Sequence, residues 1–252
     1  MSLVDIHTHL IPGIDDGATC LDDTLEMLRI AHQSGTRRIV ATPHMFLDGF
    51  QKNTILLVND RFAETQSALK DYSLRPEFAF VRDMEVVLGA ENYVSIEFLE
   101  ALAQGCVVPI NGGRYLLLES SPFLPMNKFE VALRRVLTAG YTPVIAHVER
   151  IIAVQEIPAR LENFARLGCL FQVNADTFLD TASSRLRKTG LALADLGFIH
   201  VVASDGHRPR RRPPALQETY QLLQQKFPPR NVRAWMIDNP GRIIDNLPVT
   251  SA

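Results

Sequence analysis

The chain has 252 residues, 46% of them hydrophobic, and 26 basic against 28 acidic side chains for a formal net charge of −2. That length allows one large domain with a sizeable core, and the near-neutral balance offers no electrostatic footprint for nucleic acid or a membrane surface. Three scattered cysteines, Cys20, Cys106 and Cys169, exclude a disulfide framework and point to a reducing compartment. No run approaches the ~18 apolar residues of a membrane span, and no basic segment followed by an apolar one opens the chain. A single domain over residues 1–252, cytoplasmic and without membrane insertion, is the expectation.

Short β-branched or aromatic runs bounded by turn residues predict strands at Val4–Ile6, Arg38–Thr42, Met84–Leu88, Tyr115–Leu118, Pro143–Ala146, Leu170–Val173 and Ile199–Ala203. Helical spacing fills the intervals. Asp22–Ser34 opens on acids, sets Leu25, Leu28 and Ala31 on one stripe and stops at Gly35. Thr54–Tyr72 carries Leu57, Val58, Phe62 and Leu69 as a core stripe. Further helices are expected at Ile96–Gln104, Asn127–Ala139, Pro158–Leu167, Ser183–Leu196 with a break at Gly190, Pro214–Lys226 and Val232–Ile237. Asp238-Asn239-Pro240-Gly241 reads as a turn, and Met45–Asn53 is the longest stretch without a regular pattern.

Strands that alternate with helices imply a parallel sheet, because parallel neighbours need crossover connections. A closed or distorted TIM-like (β/α)7 barrel is the expected fold, with an open doubly wound sheet as the runner-up. The loop after the first strand, Pro12-Gly13-Ile14-Asp15-Asp16-Gly17, holds neither a G-x-G-x-x-G nor a P-loop pattern, so nucleotide binding has no support.

The chemistry falls at the strand ends. His7 and His9 stand two apart, a spacing that in a strand turns both imidazoles to one side. Alone the pair says little. Yet His44 follows strand two, Glu91 strand three, Glu119 ends strand four, His147 strand five, Asn174 and Asp176 follow strand six, and Asp205 and His207 follow strand seven. The C-terminal ends of barrel strands are where active sites are built. Glu85 competes for strand three but lies at its start, so Glu91 is preferred. His32, inside a helix, and His200, at the start of strand seven, read as structural. Four or more histidines with several carboxylates exceed the ligand count of a structural zinc and suit a polynuclear site. Such a site polarises phosphoryl oxygens and yields hydroxide near neutral pH.

Basic residues complete the pattern. Arg150 follows His147 by three positions, and Arg208, Arg210, Arg211 and Arg212 crowd the loop after His207. A guanidinium fork matches phosphate. Most of that loop reads as solvated, with one or two arginines facing the metals. A cysteine phosphatase loop needs arginine six positions after its cysteine. Cys20, Cys106 and Cys169 are followed there by Glu26, Gly112 and Ala175. Metal-activated hydroxide is therefore the expected nucleophile.

Taken together, His7-x-His9, Pro12-Gly13-x-Asp15-Asp16-Gly17, Thr42-Pro43-His44, Gly89-Ala90-Glu91, Arg114-Tyr115-Leu116-Leu117-Leu118-Glu119, Ala146-His147-x-Glu149-Arg150 and Ser204-Asp205-Gly206-His207 resemble the PHP (polymerase and histidinol phosphatase) superfamily. Within it they resemble the bacterial protein-tyrosine phosphatases of the CpsB/YwqE type, along nearly the whole chain. The resemblance implies a distorted barrel with three metal ions, manganese foremost and iron, zinc or magnesium as alternatives. It implies His7, His9, Asp16, His44, Glu91, Glu119, His147, Asp205 and His207 as ligands, with Glu119 preferred as the bridge. It implies Arg150 and Arg212 as phosphate binders, Arg212-Pro213-Pro214 matching the family's pattern, and Asp16 or a metal-bound water as proton donor. Val148 stands where the family often has proline and Gly206 where alanine is frequent. The implied substrate is phosphotyrosine on the tail of a bacterial tyrosine autokinase of capsule or exopolysaccharide synthesis. A small-molecule phosphatase acting on a substrate like histidinol phosphate, and a non-catalytic barrel that binds a kinase tail, are the alternatives.

Overall fold

A computed structural model describes residues 2–249. Its first strand, β1 (Leu3–Thr8), is buried along its whole length, as a stave walled by core inside and helices outside must be. The staves that follow are β2 (Thr36–Ala41) continued by β3 (His44–Met45), β4 (Glu85–Leu88) continued by β5 (Glu91–Tyr93), then β6 (Tyr115–Glu119), β7 (Thr142–Ile145), β8 (Leu170–Asn174) and β9 (Val201–Ala203). All pairings are parallel, in the orders β1-β2-β4 and β3-β5-β6-β7-β8-β9. The ring closes between the last stave and the first. Thr8 bridges Gly206, the Gly206 carbonyl accepts from the His9 N–H at 2.8 Å, and Asp5 Oδ1 accepts from the Ser204 N–H at 3.1 Å. The open sheet is thereby replaced by the expected TIM-like (β/α)7 barrel.

Two staves expected to end at Thr42 and Leu88 instead break near those points and resume as β3 and β5. Pro43 has no N–H to give the ladder, and a side chain at Gly89 would sit 3.0 Å from Val40 Cγ1. The breaks lie side by side, tied by Gly89 N–H to Ala41 O (2.9 Å) and Glu91 N–H to Pro43 O (3.0 Å). Beyond them the chain re-enters the sheet with His44 directly opposite Glu91.

Inside the barrel, alternate residues climb from apolar to polar: Tyr115, Leu117, Glu119 on β6; Leu170, Gln172, Asn174 on β8; Val201, Ala203 and then Asp205 after β9. On β1 an extra residue between Asp5 and Thr8, relative to β2, reverses the alternation. Val4 and Ile6 therefore join the interior cluster while His7 and His9 still reach the mouth. The opposite end is plugged by the 3-10 turn Ile110–Gly112 and by Ile243 and Ile244.

The surrounding helices are α1 (Leu21–Gln33), α2 (Ile55–Tyr72), α3 (Ile96–Ala103), α4 (Met126–Thr138), α5 (Ile152–Glu156), α6 (Glu162–Arg166), α7 (Ser184–Asp195), α8 (Gln217–Lys226), α9 (Pro229–Arg233) and α10 (Asn239–Ile244). Thr54, Ser95 and Ser183 cap α2, α3 and α7 through their hydroxyls. Helix α7 runs through Gly190 unbroken. The glycine is there because a Cβ would lie 2.7 Å from Thr177 Cγ2, so it serves close packing and not chain reversal. The stretch expected as a turn at Asp238–Gly241 is helical. Pro240 occupies the first turn of α10, where no N–H is needed, and the Asn239 amide is anchored on the His200 carbonyl at 3.0 Å. No helix of the described residues is long and apolar enough to cross a membrane.

Candidate metal centre

The nine residues expected as ligands meet at one end of the barrel. His7 and His9 approach each other to 3.4 Å between Nε2 atoms, the convergence that the bulged strand permits. Glu91 Oε1 lies 3.3 Å from His7 Nε2 and 2.9 Å from His147 Nε2, while its Oε2 lies 3.0 Å from His44 Nδ1. Asp205 Oδ1 is 3.4 Å from His7 and 3.5 Å from both His9 and His207. Asp16 Oδ1 lies 3.5 Å from His44 Nε2 and 3.4 Å from His207 Nε2. Glu119 stands 3.7 Å from His44 and 3.8 Å from His147.

Three donor sets result: His7, His9 and Glu91; His44, Glu91 and Glu119; His9, Asp16, His44 and His207. The carboxylate common to two of them is Glu91, whereas Glu119, the preferred bridge from the sequence, belongs to one. Asp205 and His147 border these sets through the contacts above. Glu85 stays at the far end of its stave, bonded to Arg38 at 2.6 Å. His200 also stays there, accepting from the Phe171 N–H at 3.2 Å, and burial holds its pKa down at about 4.

The cluster is electrostatically short of positive charge. Burial alone would depress His9 and His44, yet Asp15 carries His9 up to about 9, and Glu91 with Asp16 carries His44 up to about 11. Asp205 is buried too, and the histidines around it still hold its carboxyl well below the ordinary range. Asp16, half-exposed, is held below that range by His207 and His44. Moreover, His44 Nδ1, Glu91 Oε2 and Glu119 Oε2 are buried without a hydrogen-bond partner among the described residues. Donor atoms that crowd together without bonding one another are the arrangement a cation completes.

Supporting groups fix these side chains, and some were not anticipated. Gln172 Oε1 meets His7 Nδ1 at 3.1 Å and accepts from the His147 N–H at 3.0 Å; its amide nitrogen reaches Asn174 Oδ1 at 2.7 Å. Asn174 donates onward to Asp205 Oδ2 at 2.8 Å. A glutamine inside the apolar run Leu170-Phe171-Gln172-Val173 was the available signal. Asp15 turns away from its neighbour Asp16: Oδ2 meets His9 Nδ1 at 2.8 Å and Oδ1 accepts from the Gly17 N–H at 2.9 Å. Gly17 is obligatory there, since a Cβ would fall 2.3 Å from that of His9. Phe50, from the unpatterned loop, lies nearly parallel to His44, ring centroids 5.3 Å apart. His147, Asp205 and Arg212 all take positive φ (32°, 52° and 60°), a conformation costing side-chain-bearing residues ~1–3 kcal/mol and typical of functional sites.

Above the donors lies a cleft of about 640 Å³ lined by Asp16, Arg150, His207, Arg208, Arg211 and Arg212. Arg212 donates to Asp205 Oδ2 at 2.7 Å, and Arg150 lies 3.6 Å from the same oxygen. Arg210 is exposed and does not line it.

A parallel barrel with polar side chains gathered at its C-terminal mouth belongs to the class of TIM-like barrels that build their sites from strand ends. A phosphotriesterase homology protein from Escherichia coli shares that fold with a TM-score of 0.58 at 14% identity, over 95% of this chain and 97% of that one. The chain belongs to the capsular polysaccharide synthesis family CpsB/CapC, whose model matches residues 3–245. It is 28% identical over 247 residues to the tyrosine-protein phosphatase CpsB of Streptococcus pneumoniae, covering 96% of this chain and 98% of the relative. It is 30% identical over 226 residues to the tyrosine-protein phosphatase YwqE of Bacillus subtilis, covering 89% and 85%. A crystal structure from work on YwqE and CpsB, described as unique metal-dependent tyrosine phosphatases, superposes with a TM-score of 0.88 at 27% identity over 100% of this chain and 97% of that one.

Proposed function

We propose that this chain, one barrel domain over residues 1–252, is a metal-dependent protein-tyrosine phosphatase. The observation that carries the reading is the set of three overlapping donor groups beneath an arginine-lined cleft. The names of its family relatives support it. The donors His7, His9, Asp16, His44, Glu91, Glu119, His147, Asp205 and His207 fit three divalent cations. The imidazole and carboxylate mixture suits manganese, iron or zinc; the family resemblance puts manganese foremost, with magnesium as a further alternative. The orphaned atoms of His44, Glu91 and Glu119 fit the same conclusion, because a buried polar atom left unpaired costs ~1–3 kcal/mol. When bound, such ions supply Lewis-acid stabilisation of phosphoryl oxygens and an activated water.

The chain's own residues do the rest. Arg150 and Arg212 hold the phosphate, having N–H groups beyond those directed at Asp205. Gln172, Asn174 and Asp15 lock the donor side chains in place so that little reorganises during the reaction. Asp16 enters as a carboxylate between His44 and His207. The leaving group is a phenolate whose parent phenol has a pKa of about 10, so it departs with little acid assistance. The physiological substrate is the phosphotyrosine tail of a bacterial tyrosine autokinase of capsule or exopolysaccharide synthesis, met in the cytoplasm.

His44→Ala and Asp205→Ala should each lower hydrolysis of phenyl phosphate by at least ~10³-fold. Elemental analysis should show less bound metal, and the far-ultraviolet circular dichroism should not change. Full activity in either variant would sink the assignment. Turnover of a phosphotyrosine peptide well above that of histidinol phosphate separates the reading from a small-molecule phosphatase. Loss of activity on chelation separates it from a non-catalytic barrel.

A further inference from the structure

The cleft above the donors is more basic than one phosphate requires. Four guanidinium groups, Arg150, Arg208, Arg211 and Arg212, face it, and Asp16 is its one acidic lining residue among those described. The whole chain is slightly acidic, at −2, so this is a local concentration of charge. Two of the four stand at the floor: Arg150 and Arg212 are partly buried and both approach Asp205 Oδ2. The other two are exposed at the rim. Arg208 is pinned there, its Nε donating to the Asp16 carbonyl at 3.2 Å, while Arg211 carries no hydrogen bond or ion pair among the described residues. The backbone that carries them is shaped for the purpose. Gly206 lets Pro214 pack where a Cβ would come within 2.8 Å, and the Arg212 carbonyl accepts from the His207 N–H at 2.9 Å. The arginine loop is thus folded back over the mouth. A phosphate seated on the floor leaves the rim pair facing the peptide on either side of it. Neighbouring residues of an extended peptide lie about 3–7 Å further along. A cleft lined by one sign of charge concentrates anions, and a guanidinium fork fits a carboxylate or a phosphate.

We infer that Arg208 and Arg211 form a second anionic subsite, which selects substrates carrying another negative group beside the phosphotyrosine. The inference rests on the phosphatase reading and specifies its substrate class. The shared chemistry is an anion, from an acidic side chain or a second phosphorylated residue.

The test uses the metal-loaded enzyme with phenyl phosphate and three phosphotyrosine peptides, flanked by neutral residues, by glutamates or by phosphoserine. Wild type should prefer an anion-flanked peptide over the neutral one by about tenfold in kcat/KM, mainly through KM, with the preference shrinking at high salt. Preference for glutamate alone identifies a carboxylate subsite, preference for phosphoserine alone a phosphate subsite, and either supports the proposal. Arg211→Ala should remove most of the preference while phenyl phosphate turnover stays within about twofold, and Arg211→Lys should restore part of it. Equal handling of all three peptides by wild type, or equal slowing of phenyl phosphate and peptides by Arg211→Ala, overturns it. If phenyl phosphate is not turned over at all, the phosphatase reading fails. Fluorescence anisotropy with the same peptides then still decides the subsite, because equal binding of neutral and anionic flanks rejects it.

Discussion

Gly206 stands where the barrel seam, the Asp205 carboxylate and the arginine loop meet. A methyl group there would press on Pro214 Cβ at 2.8 Å and on its Cα and N at 3.0 Å. Gly206→Ala should cost ~1–3 kcal/mol in chemical denaturation and displace the loop that bears Arg212. A raised KM for phenyl phosphate would be the sign of that displacement. Glu149 makes a different prediction. It is fully buried, and its Oε1 accepts from the Asn174 N–H at 3.0 Å and the Thr177 hydroxyl at 2.9 Å. Glutamine keeps that acceptor and leucine does not, so Glu149→Gln should keep near-wild-type stability while Glu149→Leu loses ~1–3 kcal/mol for each donor left unpaired. His200 sets a pH dependence. Burial lowers its folded pKa from 6.5 to about 4, so the unfolded chain binds the extra proton. Its contribution to stability is whole above pH 6.5 and is lost as pH falls toward 4, by about 3 kcal/mol. Asn at position 200 can offer an acceptor to the Phe171 N–H without titrating. The stability gap between wild type and His200→Asn should therefore narrow by that amount from pH 7 to pH 4, and a constant gap would refute the account.

At the scale of elements, the staves explain what the sequence disclosed and what it hid. Apolar runs marked each stave, and the polar residue closing each run marked the mouth, so Glu91, Glu119, Asp205 and the histidines were legible. Pro43 and Gly89-Ala90 were also visible, but a run such as Arg38–Thr42 shows no pairing partner. That His44 and Glu91 re-enter the sheet opposite each other depends on the hydrogen bonds between two distant segments. The same limit concealed Gln172, whose role exists only once β1, β7 and β8 enclose one barrel interior. Turn chemistry misled at Asn239-Pro240-Gly241 because proline and glycine also fit the first turn of a helix that packs against His200. The single helix expected over Pro158–Leu167 is instead the 3-10 turn Pro158–Leu161 followed by α6, and the short α5 before it was not anticipated. Helix α4 carries its stability on one face: Phe129 is fully buried and meets Phe164 edge-on, centroids 5.6 Å apart. Phe129→Ala should cost ~3–5 kcal/mol by denaturant titration, with no change in the metal content of the folded fraction.

For the whole molecule, the site is a pool of negative charge that protons and metal ions contest. His9 and His44 hold protons to about pH 9 and pH 11 when nothing else neutralises Glu91, Asp15 and Asp16. Loading the protein with manganese near neutral pH should therefore release protons, and its affinity should rise with pH. Calorimetry in buffers of different ionisation enthalpy measures that release, and a buffer-independent heat would contradict it. The seam has a further consequence. The ring is completed by Thr8 with Gly206 and by Asp5 with Ser204, so His7 and His9 meet Asp205 and His207 across nearly two hundred residues of chain. Contacts so distant in sequence form late, after the intervening staves have closed. A ribosome that has delivered only the first six staves holds a protein with no complete site. The donor set thus becomes complete only when the seventh stave, Val201–Ala203, and the Asp205–His207 segment after it are in place, and a nascent chain stalled before that stave lacks Asp205 and His207.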